Sequence, residues 1–347
     1  QMMSRLTAGY FIPKIRHKSS QKGEIMEKKK PSLIKTLFQI KEISVILPLV
    51  VLVIVAMIVN PSFLRMSNIL DILRTSSFNA MIAVPLTFLL ASGRMDLSIA
   101  ATTTLGGLIA AIAETNGVPL VFSILLALLV GASVGVLNSI LVEKFEMLGF
   151  IATMATSYVV KGIASVITNN NPVSGISDGF QAIAKTRVGG SIWITIIYAL
   201  VIGVAGQLIL NRTKYGRATL AVGGNPETAN LAGIDVKRRH SELFILVGVF
   251  AAVAGCLHCS RFASAQLTAG SGTELTILAS CIIGGTSLRG GTGTVTGSLL
   301  GCILFATITN ALLVMGVPTT WQNVVYGAIL IIALLIDIFK RTKMSKA

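Results

Sequence analysis

Apolar segments about as long as a membrane-spanning helix recur along the sequence. Of its 347 residues, 53% are hydrophobic and 12% are charged, whereas soluble domains carry about 25% charged residues. A helix needs about 20 mainly apolar residues to cross the hydrocarbon core of a bilayer. Such segments lie near 43–60, 69–91, 95–114, 119–142, 147–168, 191–210, 241–261, 273–288, 294–315 and 321–338. The pattern predicts an all-α polytopic membrane protein of about ten transmembrane helices.

Basic residues are concentrated between these segments and give the chain a formal net charge of +15. They cluster in an arm at 1–42, in the loop after the sixth segment and in the tail at 341–347. Loops rich in Lys and Arg stay on the cytoplasmic side, beside anionic lipid. We therefore expect a basic cytoplasmic arm, a transmembrane domain at 43–340 and a cytoplasmic tail. Nucleic-acid binding is not expected, because aromatic residues are only 6% and no basic domain folds separately.

Small residues are frequent inside the apolar segments. Gly131-xxx-Gly135 and Gly297-xxx-Gly301 are spacings that let two helices pack backbone to backbone. The eighth segment, 273–288, is short and flanked by glycine, which favours a broken or re-entrant element. These patterns predict a closely packed helical bundle.

The sequence lacks the motifs of an ATPase or a hydrolase. No GxxxxGK[ST] phosphate-binding loop occurs, so any energy that the protein uses would have to come from a separate subunit or from an ion gradient. The three histidines form no recognisable triad with a nucleophile and an acid. Cys256-Leu257-His258-Cys259 is one CxxC without a second ligand pair, so no metal site is predicted. We expect the chain neither to be an enzyme nor to bind a cofactor itself.

An acidic residue begins an apolar element in each half of the sequence. Asp96 precedes the hydroxyl and small residues of the third segment, and Glu274 precedes those of the eighth. Paired features of this kind mark the transport path in transporters built from repeats, and chance similarity is the competing interpretation. The candidate path residues are Asp96, Ser98, Thr104, Glu274, Ser280 and Asn310.

The loop at 213–236 has the signals of a short, capped helix. Asn225 is a favoured N-cap, Pro226 suits the first helical position, and Glu227 complements the positive end of the helix dipole. Gly233 suits a left-handed C-cap. Such a helix either enters a groove in a partner protein or lies on lipid, and the sequence leaves both open.

Several motifs occur in a fixed order along the chain, namely Asp96-Leu97-Ser98, Gly216-Arg217, Ala221-Val222-Gly223-Gly224-Asn225, Ala229-Asn230-Leu231-Ala232-Gly233-Ile234, Gly284-Gly285-Thr286-Ser287-Leu288, Gly290-Gly291-Thr292-Gly293-Thr294-Val295, Asn310 and Trp321-Gln322. Together they resemble the motifs of the ribose-type membrane subunits of ATP-binding-cassette importers, in the branched-chain-amino-acid/ribose permease superfamily. The resemblance covers about 45–338 and implies a bundle like that of type II importers, with an internal repeat. It also implies that the loop helix couples to an ATPase through Asn225, Pro226, Glu227, Ala229, Leu231, Ala232, Gly233 and Ile234.

The resemblance implies a permease subunit of the bacterial plasma (inner) membrane that imports a monosaccharide-like solute. Ribose or another pentose, a hexose and related furanoses all fit the family. The implied partners are an ATPase chain that binds ATP and Mg²⁺, an extracytoplasmic solute-binding protein and a second permease copy.

The loop at about 169–190 either docks a partner or is a solvated connection.

A secondary transporter driven by an ion gradient is the alternative function. Such a transporter needs acidic side chains deep in the membrane. Asp96, Glu114 and Glu274 all lie near the ends of predicted segments, which weakens this alternative.

Arg94 departs from the family pattern around the acidic motif. The family usually has a sequence like Gly-Gly-Ile-Asp-Leu-Ser-Val-Gly, whereas this chain has Arg94-Met95-Asp96-Leu97-Ser98. We expect a local ion pair between Arg94 and Asp96, which would alter the surroundings of the carboxylate and bear on substrate choice.

Overall fold

Helices make up most of the described chain. The computed structural model describes residues 43–318, 320–321, 324–328 and 331. The helices are α1 (Ile43–Val59), α2 (Met66–Ala91), α3 (Ile99–Thr115), α4 (Leu120–Ser139), α5 (Gly149–Thr168), α6 (Asp178–Lys185), α7 (Ile194–Arg212), α8 (Lys214–Gly224), α9 (Pro226–Leu231), α10 (Val236–Phe262), α11 (Thr273–Ile283) and α12 (Val295–Val314). A 3-10 turn (Pro61–Leu64) follows α1, and a π-helical turn (Ile140–Lys144) extends α4. The short strands are β1 (Val173–Ser174), β2 (Arg187–Val188), β3 (Ile192–Trp193) and β4 (Ser264–Ala265).

Six helices of the described part are long and apolar enough to cross a membrane, namely α2, α4 with its π-helical turn, α5, α7, α10 and α12. Helices α3 and α11 and most of α1 are apolar but shorter. Nine of the ten predicted segments therefore coincide with a helix in the described residues. The tenth, 321–338, lies mostly outside those residues, and the arm at 1–42 and the tail at 341–347 lie outside them entirely. The all-α polytopic class is confirmed, while the count of ten and the internal repeat stay predictions.

Helix α2 lies at the centre of the bundle, in contact with α7, α10, α11 and α12. Its mean hydropathy of 1.3 is the lowest of the six long helices, yet 83% of its apolar stretch is buried, against 28% for α4 and α7. Ser76, Ser77 and Thr87 each donate a hydrogen bond to a carbonyl three or four residues earlier, which satisfies the hydroxyls inside the bundle. Helix α2 is therefore surrounded by protein, whereas α4 and α7 present apolar surface to lipid.

Glycines bring pairs of helices into backbone contact. A Cβ added at Gly131 or Gly135 would overlap the backbone of α10, and one added at Gly301 would overlap the carbonyl of Ser280 on α11. Lipid gives no hydrophobic drive between helices, so this close packing is a main source of their association. The packing role predicted from the glycine spacings is confirmed for these positions.

Helix α11 is too short to cross a bilayer. Its 11 residues span roughly 16 Å at about 1.5 Å per residue. The chain before α11 packs deep against α3, because the Gly270 N–H donates to Thr104 Oγ1 at 3.2 Å and a Cβ at Gly270 would overlap the Ala100 carbonyl. This arrangement fits the predicted broken or re-entrant element.

The connection between α5 and α7 is a packed cap. Strand β1 pairs antiparallel with β4 at the end of α10, and β2 pairs with β3. Ser177 caps helix α6, because its Oγ accepts a hydrogen bond from the Phe180 N–H, and the helix buries Phe180 and Ala184. We call this side of the bundle the cap end, and the side that carries residues 213–235 the loop end. The docking of a partner on the cap stays a prediction.

Candidate coupling site and transport path

The loop end carries the predicted coupling segment. Asn225 is extended, and its Oδ1 accepts a hydrogen bond from the Thr228 backbone N–H at 2.9 Å, which caps α9. Gly233 has a φ of +82°, the left-handed conformation in which glycine commonly closes a helix. The caps predicted from the sequence are therefore confirmed.

Most of the coupling segment is exposed. Within Asn225–Ile234 only Ala229 is buried, and Ile234 is half-buried. Leu231 is 89% exposed, so an apolar side chain stands out near the tip of an otherwise polar loop. A short, rigid helix with one apolar anchor has a shape that can fit a groove in a partner.

Glycines join this loop to the transmembrane helices. The Gly291 N–H donates to the Ala91 carbonyl at 2.9 Å. A Cβ at Gly223 would overlap that carbonyl and come within 2.6 Å of the Gly291 nitrogen, and one at Gly290 would lie 2.8 Å from the nitrogen of Gly93. We call Ala91, Gly93, Gly223, Gly290 and Gly291 the glycine junction. It connects the last turn of α8 to the end of α2 and to the turn between α11 and α12 without intervening side chains.

Helix α8 is also held at its start. Thr213 Oγ1 accepts a hydrogen bond from the Gly216 N–H at 3.2 Å. The Arg239 guanidinium lies 3.9 Å from the centre of the Tyr215 ring and donates to Glu242 Oε2 at 3.1 Å. Burial raises the pKa of Tyr215 above its ordinary value, although Arg239 opposes this, so the phenol stays protonated. Both ends of α8 are therefore fixed to the bundle.

Arg94 pairs with Glu143, so the expected ion pair with Asp96 is wrong. Arg94 Nε lies 2.7 Å from Glu143 Oε1, and His240 Nδ1 lies 3.0 Å from the same oxygen. The other ring nitrogen of His240 is 3.1 Å from the Ser92 carbonyl oxygen. The Asp96 carboxylate is buried and bonded elsewhere, whereas Arg94 reaches toward the surface at the π-helical turn. This cluster ties the end of α2 to α4 and α10.

Asp96 and Ser98 lie together in a buried hydrogen-bond network. Asp96 Oδ1 accepts from the backbone N–H and the hydroxyl of Ser98, both at 2.7 Å. Asn138 on α4 donates to Asp96 Oδ2 at 3.1 Å and to Ser98 Oγ at 2.8 Å. The network holds Ser98, the residue before α3, and fastens it to α4. Sequence reasoning missed Asn138, although an amide inside an apolar helix was an available signal.

The other candidates lie on three helices, with Thr104 on α3, Glu274 and Ser280 on α11, and Asn310 on α12. Thr104 receives the Gly270 N–H, while Ser280 donates to the Thr276 carbonyl at 2.8 Å and is fully buried. Glu274 has a buried Oε2 without a hydrogen-bond partner.

Asn310 and Asn68 exchange two hydrogen bonds, at 2.8 and 3.0 Å, between α12 and α2. The structure thus joins Asp96 to Ser98 and sets Thr104 at the approach to α11, but it pairs Asn310 with Asn68. A shared transport path for the six residues stays a prediction.

Cys256, His258 and Cys259 of the CxxC motif make packing contacts. Among the described residues, no three His, Cys, Asp or Glu side chains are grouped closely enough to hold a metal ion. Cys256 and Cys259 are free and buried. His258 packs against Phe78, with 4.7 Å between ring centroids, and against Phe262.

The fold and the candidate coupling site define a polytopic helical membrane protein with a capped, exposed helix in its large polar loop. The chain belongs to the family described as the branched-chain amino acid transport system / permease component, which matches residues 68–334. This family membership confirms the resemblance seen in the sequence and the expectation of a transport subunit rather than an enzyme.

Curated relatives cover most of the chain. The ribose import permease protein RbsC of Bacillus subtilis is 38% identical over 293 residues, which are 84% of this chain and 91% of that protein. The galactose/methyl galactoside import permease protein MglC of Escherichia coli K12 is 32% identical over 319 residues, 87% and 95% of the two chains. The L-arabinose ABC transporter permease protein AraH of Azospirillum brasilense is 32% identical over 287 residues, 82% and 83% of the two chains. No solved structure gives a significant match.

Proposed function

We propose that this chain is the transmembrane permease subunit of an ATP-binding-cassette importer for a ribose-like monosaccharide. The relatives named for ribose, galactose and arabinose import support a sugar, and ribose is favoured because its permease is the most similar of the three. The chain would work with a separate ATPase that holds ATP and Mg²⁺, an extracytoplasmic solute-binding protein and a second permease copy.

The arrangement of α9 supports this function most directly. A capped, exposed helix stands at the loop end, and the glycine junction connects its neighbour α8 to α2, the helix at the centre of the bundle. Closure of the ATPases would push on Asn225–Ile234, and the backbone contacts of the junction would pass that displacement to α2 and to the turn before α12. The tilt of these helices would alternate access to the transport path.

The proposal includes the orientation and the number of spans. The basic loop end and both termini would face the cytoplasm, as the distribution of Lys and Arg favours. The bundle would have ten spans with an internal repeat, in which the shorter helices α1, α3 and α11 count as spans or half-spans. The solute would pass near Asp96, Ser98, Thr104, Glu274, Ser280 and Asn310.

A single substitution at the tip of the loop tests the coupling role. Leu231→Asp places a charge where the proposed ATPase cleft must accept an apolar side chain, and we expect the ATPase to be lost from the purified complex. Val188→Asp is the matched control, because Val188 is an exposed apolar residue at the cap end. The first measurement is the amount of ATPase that co-purifies with each variant. The second is the uptake of labelled ribose, galactose and arabinose into proteoliposomes in the presence of the binding protein. Equal retention of the ATPase by both variants would contradict the proposal.

Ion-gradient transport remains the alternative, because Glu274 has a buried carboxylate oxygen without a partner near the start of a re-entrant helix. The isolated chain, reconstituted without an ATPase, distinguishes the two functions. Sugar uptake driven by a proton or sodium gradient alone would establish the alternative. We expect no uptake under that condition and ATP-dependent uptake in the full complex.

A further inference from the structure

Three charged or titratable side chains meet at the loop end, each from a different element. Arg94 follows α2, Glu143 lies in the π-helical turn that extends α4, and His240 lies near the start of α10. Arg94 Nε and His240 Nδ1 approach the same carboxylate oxygen, Glu143 Oε1, at 2.7 and 3.0 Å. We call these three side chains the charged latch.

The π-helical turn positions the carboxylate of the latch. Glu143 is 6% exposed, whereas the next two residues, Lys144 and Phe145, are exposed. A carboxylate this buried needs a cation beside it. Arg94 supplies one at any ordinary pH, because a guanidinium keeps its proton. His240 supplies a second cation only when its ring is protonated.

The surroundings of His240 favour the protonated ring. The residue is 2% exposed, and its Nε2 lies 3.1 Å from the Ser92 carbonyl oxygen. A neutral imidazole carries one N–H, so when it donates to that carbonyl it turns the Nδ1 lone pair toward the carboxylate. Nδ1 makes no aligned hydrogen bond to the described residues, so its charge decides whether it attracts Glu143. Histidine is the side chain whose charge most readily changes between about pH 5 and pH 8.

The other charged residues around the latch do not replace its members. They are paired with one another or exposed, namely Lys237 with Glu146, Arg238 and Arg239 with Glu242, and the exposed Lys144 and Arg289. The strength of the latch therefore depends on the charge of His240.

The latch joins the glycine junction to a rigid pair of helices. Ser92 and Arg94 flank Gly93, a member of the junction. Helices α4 and α10 are in backbone contact at Gly131 and Gly135, so they move as one body. A displacement of the junction relative to this pair must stretch the contacts of Glu143 and His240 with the end of α2.

We propose that Arg94, Glu143 and His240 form a pH-sensitive latch that resists the coupling movement when His240 is protonated. The second positive charge beside Glu143 holds the end of α2 more tightly to α4 and α10. The extra hold is complete at low pH and is lost as the pH rises and the ring loses its proton. Acidification on the side of the loop end therefore slows ATP-driven uptake. The inference rests on the coupling movement given under the proposed function.

The pH dependence of uptake by the full transporter tests the latch. ATP and a buffer of chosen pH are trapped inside proteoliposomes, so only transporters whose loop end faces the lumen are driven. Labelled ribose and the binding protein are added outside at constant pH. Between about pH 8 and pH 6 in the lumen, wild-type uptake should fall about fivefold relative to His240→Gln, the effect expected for one partly exposed ion pair.

Two further variants separate the latch from a general effect of lost charge. Glu143→Gln keeps the shape of the side chain, removes the carboxylate and should flatten the pH profile as His240→Gln does. Arg238→Gln, on the same helix as His240, removes one arginine of an exposed ion pair with Glu242 and should keep the wild-type profile. The same profile in wild type and His240→Gln would overturn the proposal. If His240→Gln does not assemble with the ATPase, a wild-type fall in Glu143→Gln overturns it equally.

Hydrogen exchange of the backbone amides at 91–98 gives a readout that needs no transport. After correction for the intrinsic effect of pH, these amides should exchange more slowly at the lower pH in wild type and not in His240→Gln. A transporter that imports ribose with identical pH profiles and identical exchange in the two proteins disproves only the latch. A chain that shows the exchange difference, but imports no sugar with its ATPase, disproves only the sugar-import function.

Discussion

Asp96 illustrates at the scale of one residue how a candidate for transport can have a structural role. Its carboxylate is buried, accepts two hydrogen bonds from Ser98 just before α3, and accepts a third from the Asn138 amide on α4. The sequence was enough to predict that Asp96 lies just before a helix. The partner of that acid lies 42 residues away, and no local pattern indicates such a distant contact. Arg94 was expected to pair with its neighbour Asp96 for the same reason, whereas its partner Glu143 lies 49 residues away.

Asn138→Ala should destabilise the protein, because it leaves Asp96 Oδ2 buried without its donor. The expected loss is roughly 1–3 kcal/mol, the usual cost of a buried polar group left unsatisfied. Ser133→Ala on the same helix is the control, since its hydroxyl bonds only the Leu129 carbonyl at an exposed position. Thermal unfolding in detergent measures both variants. Similar midpoints for the two would show that the network contributes little.

At the scale of the element, α9 was the feature most accessible from sequence. Helix caps depend on residues within one turn, so Asn225, Pro226 and Gly233 were enough to predict α9. The cap formed by α6 and the strands was not predicted, because pairing of β1 with β4 joins residues about 90 positions apart.

Gly233→Ala should uncouple ATP hydrolysis from uptake while the bundle stays folded. The left-handed conformation at Gly233, with φ of +82°, costs a residue with a Cβ roughly 1–2 kcal/mol, and the end of the coupling segment would shift. Glu227→Ala should have a smaller effect of the same kind, because a favourable charge at the start of α9 is lost. The ratio of sugar imported to ATP hydrolysed is the measurement. Gly162→Ala is the control, since a Cβ at Gly162 meets no atom within 4 Å. Unchanged coupling in Gly233→Ala would argue against the role of α9.

At the scale of the whole molecule, the glycine junction places the loop, the central helix and the turn between α11 and α12 in contact at one point. Composition predicted a closely packed helical membrane protein, and the sequence motifs indicated the right family. Which glycines meet was not evident, because Gly93, Gly223 and Gly290 come from three distant parts of the chain. Their contact depends on the assembled bundle.

Two adjacent glycines allow a sharp test of the junction. Gly223→Ala forces a methyl group into the Ala91 carbonyl, whereas Gly224→Ala meets no atom within 4 Å. We expect Gly223→Ala to lose roughly 1–3 kcal/mol of stability, as overpacked sites do, and to reduce ATP-driven uptake. Gly224→Ala should behave like wild type in unfolding and uptake assays. Wild-type uptake by Gly223→Ala would show that the junction does not carry the coupling movement.

Helix α10 reaches both ends of the bundle in one piece. Its 27 residues contain no proline and extend about 40 Å. It contacts α9 at one end, and at the other it contacts α6 and leads into β4. A solute-binding protein bound to the cap and an ATPase bound to the loop would thus contact opposite ends of one continuous helix. If binding of the first changes the affinity for the ATPase, binding of the ATPase must change the affinity for the first by the same factor, because coupling between two binding events is reciprocal.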